Sequence, residues 1–255
     1  MADWVDQKAC IVVKTYPTPA WNGVEVVCTA AITEEGKWLR LFPVPFRFLD
    51  QDKRFKKYQW VQLRVKKATD FRTESFNIDP DSIKLLNDEP ITTKNKWQER
   101  KNVVFPLLAP SYCSLKEQRD AAGSPTLGIF KPKRIIKLVI ESGNAEWDEA
   151  EQAKLTQGDL FDVGPIKELE KIPFKFSYHF ECNVQGCGTH TFMCTDWEMA
   201  QAYRMWRRKY GNDWEKYFRQ KFEQEMMQKD THFYVGTVHQ HPANWIIVGL
   251  FYPPL

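Results

Sequence analysis

The sequence predicts an α+β protein in which a small N-terminal β-barrel precedes a C-terminal unit of β-hairpin, two helices and β-hairpin. Four short runs of apolar or alternating residues, separated by turn formers, occupy the first part of the chain. Three cysteines and one histidine lie within residues 182–194. Two amphipathic helical patterns and a final pair of apolar runs follow them.

The N-terminal strands are predicted at residues 10–15, 24–32, 37–42 and 60–65. The first two runs are β-branched and apolar, and the segment between them contains two prolines and an Asn-Gly pair, which interrupt any continuous element. The other two runs alternate apolar and polar residues, as a half-buried strand does. Four short strands at this spacing indicate a small barrel or sandwich.

The middle of the chain predicts one helix, one strand and a domain boundary. Ser114 and Glu117 have the spacing of a capping box, which predicts a short helix to about Ala122, and residues 133–140 form a predicted strand. Residues 142–165 are acidic, contain three glycines and show no sustained period. We therefore predict a β-rich domain at 1–141, an acidic linker or excursion at 142–170, and a Cys/His-containing α+β domain at 171–255.

The C-terminal unit is predicted because the period of its hydrophobic pattern changes from that of a strand to that of a helix. Residues 174–180 alternate aromatic and polar side chains, which predicts a strand leading to Cys182. Asp196 is positioned to cap a helix over residues 197–209, and a second helix is predicted from Asn212 or Asp213 to about Met227. Two closing strands are predicted at 233–238 and 245–252.

The cysteine and histidine spacing C-x4-C-x2-H-x3-C predicts a metal site. Its ligands would be Cys182, Cys187, His190 and Cys194, with His179 as the alternative should one of them not bind. Four such ligands make a closed tetrahedral Zn²⁺ site, which favours a structural role over a catalytic one. Buried free cysteines and a hydrogen-bonded histidine in a β-hairpin are the other interpretation of this pattern.

Residues 27–32 (VCTAAI) and 36–40 (GKWLR) resemble the opening hairpin of OB-like modules in prokaryotic proteins of mobile-element and defence neighbourhoods. Residues 127–132, the Cys/His cluster with its Asp-Trp-Glu, and residues 248–253 extend the similarity to a group of uncharacterised prokaryotic proteins. This resemblance implies a shared fold and membership of a defence or mobile-element system. It supplies no mechanism.

The composition indicates the broad class of protein to which the chain belongs. A chain that is 43% hydrophobic and 27% charged is typical of a globular protein. No apolar run approaches the roughly 20 residues that span a membrane, and the N-terminus is unlike a signal peptide, so we expect a cytoplasmic protein. In that compartment the six cysteines are expected to be thiols or metal ligands.

Basic residues interleaved with aromatics favour nucleic-acid binding. Residues 53–67 hold seven basic side chains and no acidic one, together with Phe55, Tyr58 and Trp60. A second basic group lies near residue 133. The predicted phosphate contacts are Lys56, Lys57, Arg64, Lys66, Lys131, Lys133 and Arg134. DNA and RNA, single-stranded or duplex, are left open.

Two alternative functions accompany this prediction. One is a scaffold subunit that binds a protein partner within a larger assembly. The other is a metal-dependent nuclease using Asp196 and Glu198, because carboxylates hold Mg²⁺ in nuclease sites. A helix cap and a first-turn acid explain the same two residues without chemistry. No P-loop, dinucleotide fingerprint or nucleophile elbow is present, and the balance favours a protein that is not an enzyme.

Overall fold

The computed structural model describes residues 3–20, 25–156, 168–239 and 241–255. Its N-terminal part contains seven strands: β1 (Val5–Lys14), β2 (Thr18–Pro19), β3 (Glu25–Thr33), β4 (Trp38–Val44), β5 (Trp60–Lys67), β6 (Ser75–Ile78) and β7 (Lys84–Leu85). Five of them close into a barrel in the order β1-β3-β4-β6-β5, with β5 paired back to β1. The predicted small barrel is therefore confirmed, and β6 is the barrel strand that the sequence did not predict.

Alternation along the strands fills the barrel. Residues two apart on β1, β4 and β5 point inward, as Leu39 and Leu41 do on β4. The interior is lined by Ala9, Ile11, Val27, Ala31, Leu39, Leu41, Val44, Val61, Leu63, Val65 and Ile78. Gly36, with φ +70°, makes the tight turn between β3 and β4.

The remainder of the chain is mixed α and β. Its elements are α1 (Lys94–Val104), β8 (Leu108–Ala109), α2 (Tyr112–Ala122), β9 (Leu127–Phe130), β10 (Arg134–Ser142), α3 (Glu149–Thr156), β11 (Phe174–Glu181), β12 (Thr189–Met193), α4 (Trp197–Tyr210), α5 (Trp214–Arg219), a π-helical turn over 220–224, α6 (Glu225–Met227), β13 (His232–Thr237) and β14 (Trp245–Phe251). They form two sheets, β10-β11-β12 and β14-β13-β9-β8. The predicted order of hairpin, helices and hairpin is confirmed.

One local prediction needs correction, and the predicted linker or excursion contains a helix. Helix α2 begins one turn earlier than predicted, because Ser111 caps it: the Ser111 hydroxyl accepts a hydrogen bond from the Ser114 N–H at 3.0 Å. The acidic segment is not wholly irregular, because Asp148 accepts from the Glu151 N–H and α3 follows. The rest of the predicted linker includes residues outside the described part of the chain.

Strand pairing bears on the predicted domain boundary at residue 141, which falls within β10. Strand β9 pairs with β13 and β10 pairs with β11, so both contribute to the C-terminal sheets. Strand pairing between segments far apart in sequence therefore joins residues 127–142 to the C-terminal unit.

The outer face of the barrel packs against the C-terminal unit. Residues of β1, β3, β9, β13 and β14 form one shared apolar layer: Cys10, Val12, Val13, Ala30, Ile32, Leu127, Ile129, Tyr234, Val248 and Phe251. Arg40, only 3% exposed, extends from β4 into this layer and donates a hydrogen bond to the Thr126 carbonyl at 2.7 Å. Glu74 accepts from the N–H and hydroxyl of Thr126 at 2.6 and 2.7 Å. Buried polar contacts as well as apolar packing thus hold the barrel against the C-terminal unit.

Among the described residues, no helix is both long enough and apolar enough to cross a membrane.

Candidate functional site

Four metal-ligating side chains meet where α2 approaches the β11–β12 hairpin. Cys113 is the second residue of α2, Cys182 follows the last residue of β11, Cys187 lies in the connecting turn and His190 is on β12. Pairing of Phe180 with His190 brings the two strand ends together. The turn between them contains Gly186 at φ +78°, a backbone conformation that suits glycine.

The four candidate ligand atoms all lie within 4.8 Å of one another. The Cys113 sulfur is 3.5 Å from that of Cys182 and 3.2 Å from that of Cys187. The Cys187 sulfur is 3.1 Å from Nε2 of His190. Sulfurs bound to one tetrahedral Zn²⁺ lie about 4 Å apart, so this is a compact Cys3His set of the right size for such an ion.

The protonation states of the cluster suit a metal. Burial opposes ionisation of Cys182, but hydrogen bonds from the backbone and thiol of Cys113 outweigh it and lower the pKa of Cys182. Burial also lowers the pKa of His190 and so favours the neutral imidazole that binds metals. Burial and the neighbouring thiols raise the pKa of Cys113 to about 12, so this ligand would release its proton on binding a metal.

Aromatic side chains surround the ligands. The Tyr112 ring lies 4.8 Å from the rings of both His190 and Phe192, and Phe180 lies 5.5 Å from His190. These rings cover part of the group, in which Cys182 is buried and the other three ligands are partly exposed. Such a shell also fixes the orientation of the imidazole, as supporting residues around metal sites commonly do.

Three of the four predicted ligands are brought together, and Cys113 takes the place predicted for Cys194. Cys194 lies outside the group, 5% exposed and packed in the C-terminal core, where burial raises the pKa of its thiol. The predicted substitute, His179, is also outside the group and pairs with the hydroxyl of Thr191 at 2.9 Å. Spacing alone could not identify Cys113, because 69 residues separate it from Cys182.

Asp196 forms a buried ion pair with Lys57, and the partly exposed Glu198 lies beside this pair. Asp196 caps α4 by accepting the Glu198 N–H at 2.7 Å, and its other oxygen accepts the Leu250 N–H at 3.1 Å. The ammonium of Lys57 lies 3.3 Å from Asp196 and 3.5 Å from Glu198. With three donors already on Asp196, the geometry fits a structural carboxylate better than a Mg²⁺ ligand.

The predicted phosphate contacts are distributed over several elements, and most have acidic partners. Lys56 pairs with Glu89, Arg64 with Asp79, Lys131 with Asp230, and both Lys133 and Arg134 with Glu181, while Lys57 is held by Asp196 and Lys66 lies half-buried on β5. Exposed ion pairs of this kind are weak, so the basic side chain can leave its carboxylate partner and bind a phosphate. Nucleic-acid contact by these residues stays a prediction.

Two of these lysines do meet aromatic side chains, at a cavity of about 360 Å³ that we call the aromatic cavity. Its walls come from the connection before β5, from α1, from the start of α4 and from the end of β14. They are Lys56, Lys57, Tyr58, Thr93, Trp97, Arg100, Glu198, Leu250 and Tyr252. Trp97, Arg100 and Tyr252 had not been predicted as site residues, because nothing in their local spacing relates them to residues 56–58.

Stacked cations and rings shape the aromatic cavity. The Arg100 guanidinium lies 4.2 Å from the ring of Tyr58 and 4.8 Å from that of Trp97, and its Nε donates to the Ile91 carbonyl at 2.8 Å. The rings of Trp97 and Tyr252 are 5.3 Å apart. The cavity therefore combines aromatic faces with positive charge.

Unusual backbone is concentrated at the same place. In the described part of the chain, the non-glycine residues with positive φ are Tyr58, Asn95, Lys96 and Trp97, at 63°, 49°, 52° and 63°. Bulky side chains rarely adopt this conformation, and such residues tend to cluster at ligand sites. Both Tyr58 and Trp97 line the aromatic cavity.

The fold and the cluster together define a class: an α+β protein with a closed five-stranded barrel and a Cys3His group compatible with a metal such as zinc. Residues 109–255, more than half of the chain, match the family described as "Domain of unknown function (DUF8757)", and the chain belongs to that family. Residues 5–106 match a second family, described as "Domain of unknown function (DUF8758)". Comparison with curated proteins gives no match.

Proposed function

We propose that this protein binds single-stranded nucleic acid, with one unpaired nucleotide in the aromatic cavity, and that Zn²⁺ at the Cys3His group stabilises its C-terminal unit. The observation that carries this proposal is the meeting of Lys56, Tyr58, Trp97, Arg100 and Tyr252 in one cavity. Aromatic faces stack on unpaired bases, and cations contact the phosphates that link them. A volume of about 360 Å³ lies at the small end of ligand pockets and suits a single nucleotide.

The barrel topology supports an OB-like class. Its first strand, β1, pairs with β5, and β4 runs parallel to β6, which is the order of an OB-fold. OB-folds bind oligonucleotides across the face of their second and third strands. Those strands are β3 and β4 here, and the C-terminal sheet covers their outer face. Nucleic acid would therefore approach the connection before β5, where Lys56 and Tyr58 lie.

The zinc would be structural. Cys113, Cys182, Cys187 and His190 provide four protein ligands, which closes a tetrahedral site and leaves no position for a reacting water. The ion would join α2 to the β11–β12 hairpin. Its role is to hold these elements in place, and the cytoplasmic location expected from the sequence is consistent with reduced thiols.

Fluorescence anisotropy with labelled single-stranded and duplex oligonucleotides, at several salt concentrations, tests nucleic-acid binding. We expect tighter binding of single strands, with log affinity falling linearly as log salt rises. Trp97→Ala should weaken binding by about tenfold or more, because stacking on one base contributes about 1–3 kcal/mol. Trp147→Ala is the matched control, since Trp147 is another half-buried tryptophan and lies outside the aromatic cavity.

Absence of binding at low salt would overturn the nucleic-acid proposal and promote the protein-interaction alternative. Equal loss in Trp97→Ala and Trp147→Ala would show that the cavity is not the binding site. Lys56→Ala, compared with exposed Lys216→Ala, should reduce the salt slope by about one unit if Lys56 contacts a phosphate.

A further inference from the structure

We propose that the aromatic cavity selects guanine, through the carboxylate of Glu198. This inference rests on the proposed function and deepens it, because it names the base that the cavity accepts. The guanine could belong to a nucleic-acid strand or to a free mononucleotide, since the recognised chemistry is the same.

Glu198 lies in the cavity wall with its acceptors open to a ligand. Its side chain is 45% exposed, although it stands at the start of α4 beside a buried ion pair. One oxygen is 3.5 Å from the ammonium of Lys57, and the other accepts from the Tyr252 hydroxyl at 3.4 Å. These long contacts orient the carboxylate and leave lone pairs on both oxygens.

The neighbouring charge keeps Glu198 ionised. The Lys57 ammonium lowers the pKa of Glu198 against the opposing effect of burial. Lys57 in turn is held charged, because the carboxylates of Asp196 and Glu198 outweigh the burial that opposes its charge and keep its pKa above the ordinary value. An ionised carboxylate only accepts hydrogen bonds, so this wall of the cavity requires donors from its ligand.

Guanine is the base that best meets this requirement. Its Watson–Crick edge carries two adjacent donors, N1–H and the N2 amino group, which can bind both oxygens of one carboxylate. Adenine and cytosine offer one amino group beside an acceptor nitrogen. Uracil and thymine offer one N–H between two carbonyl acceptors, which a carboxylate repels. Pairing by two hydrogen bonds should therefore favour guanine over the other bases.

The rest of the cavity suits a flat base held at that edge. Trp97 and Tyr252 supply partly exposed rings, and the guanidinium of Arg100 lies over Trp97 and over the buried ring of Tyr58. Lys221 and Lys229, each paired with Glu225, lie 5.4 and 5.1 Å from the Tyr252 ring. Stacking holds any base, whereas Glu198 distinguishes among them.

The test uses anisotropy with single-stranded oligothymidylates of about ten nucleotides, each carrying one central G, A, C or T. A single guanine in a thymine strand avoids quadruplex formation. We expect the G strand to bind about tenfold or more tightly than the T strand, as one good bidentate contact provides. Glu198→Gln should reduce this ratio to within about threefold, because the amide offers one acceptor and one donor.

Exposed Glu215→Gln is the matched control and should keep the full preference. Thermal unfolding of both variants verifies that they fold. Competition by guanosine and adenosine monophosphates separates a strand from a free nucleotide as the source of the base.

Each outcome decides between the two proposals. Binding of all four strands with equal affinity overturns guanine selection and leaves nucleic-acid binding intact. Binding of guanosine monophosphate without binding of any strand supports the guanine site and overturns nucleic-acid binding. A guanine preference that survives Glu198→Gln overturns the assignment to this carboxylate, and no binding of any probe overturns both proposals.

Discussion

Replacing Cys113 by serine should release the zinc that we propose, whereas replacing Cys194 should not. The Cys113 sulfur contacts two other ligand sulfurs at 3.5 and 3.2 Å and is the one ligand delivered by a helix. Cys194 is buried in the apolar core outside the cluster. Both substitutions replace a cysteine sulfur by a hydroxyl oxygen, and they differ only in where the residue lies in the fold.

The expected loss of affinity follows from the ligand count. Structural Zn²⁺ binding contributes about 10–16 kcal/mol in small zinc domains. Divided evenly over four ligands, this is about 2.5–4 kcal/mol for each, or about 10² to 10³-fold in the dissociation constant. Cys194→Ser should instead place a hydroxyl in an apolar site and cost about 1–3 kcal/mol of unfolding free energy, with zinc affinity unchanged.

Metal analysis and competition with a coloured zinc chelator measure both quantities. We expect about one zinc per chain in the wild type and in Cys194→Ser, and a strongly reduced amount in Cys113→Ser after dialysis against chelator. Urea unfolding gives the stability of each variant. The reasoning would be refuted if Cys194→Ser lost its zinc while Cys113→Ser retained it, which is the result expected from sequence spacing alone.

Two further predictions concern buried charge. Lys57→Met should lower the unfolding free energy by about 3–5 kcal/mol, because Asp196 would keep a buried carboxylate without its cation; a neutral result in urea unfolding would contradict this. Burial opposes the charge on Asp70, but hydrogen bonds from Arg72 outweigh it and lower the pKa of Asp70 to about 2. The contribution of ionised Asp70 to the stability of the folded protein is therefore complete above about pH 4 and disappears as the pH falls towards 2. Asp70→Asn should thus cost about 2 kcal/mol at pH 7 and progressively less below pH 4, unlike exposed Asp52→Asn; a cost independent of pH would contradict the assignment.

Local patterns predicted the barrel strands and failed where distant segments meet. Two β-branched apolar runs and two alternating runs identified four barrel strands, but β6 is only four residues long and joins the barrel by parallel pairing with β4. The alternation of residues 37–42 puts Trp38 and Arg40 on one side of β4 and does not indicate what that side faces. It faces the C-terminal unit, where Arg40 is buried against Thr126. Which face of a strand becomes covered depends on tertiary packing.

The same limit applies to the candidate site. Cys182, Cys187 and His190 were predicted because they share one hairpin, where spacing reflects geometry. Cys113 was missed because a helix far away in sequence delivers it. The aromatic cavity likewise combines the predicted residues 56–58 with parts of α1, α4 and β14 that only the fold brings together.

The apolar layer between barrel and C-terminal sheet makes the sequence boundary between the two families a poor place to divide the molecule. A break near residues 106–109 would separate Ile32 from Ile129 and Arg40 from Thr126. Each half would then expose to water an apolar surface and a polar group that has lost its hydrogen-bond partner. If the two halves were encoded as separate chains, we expect each to require the other, so that a split gene would produce an obligate heterodimer and not two independent proteins.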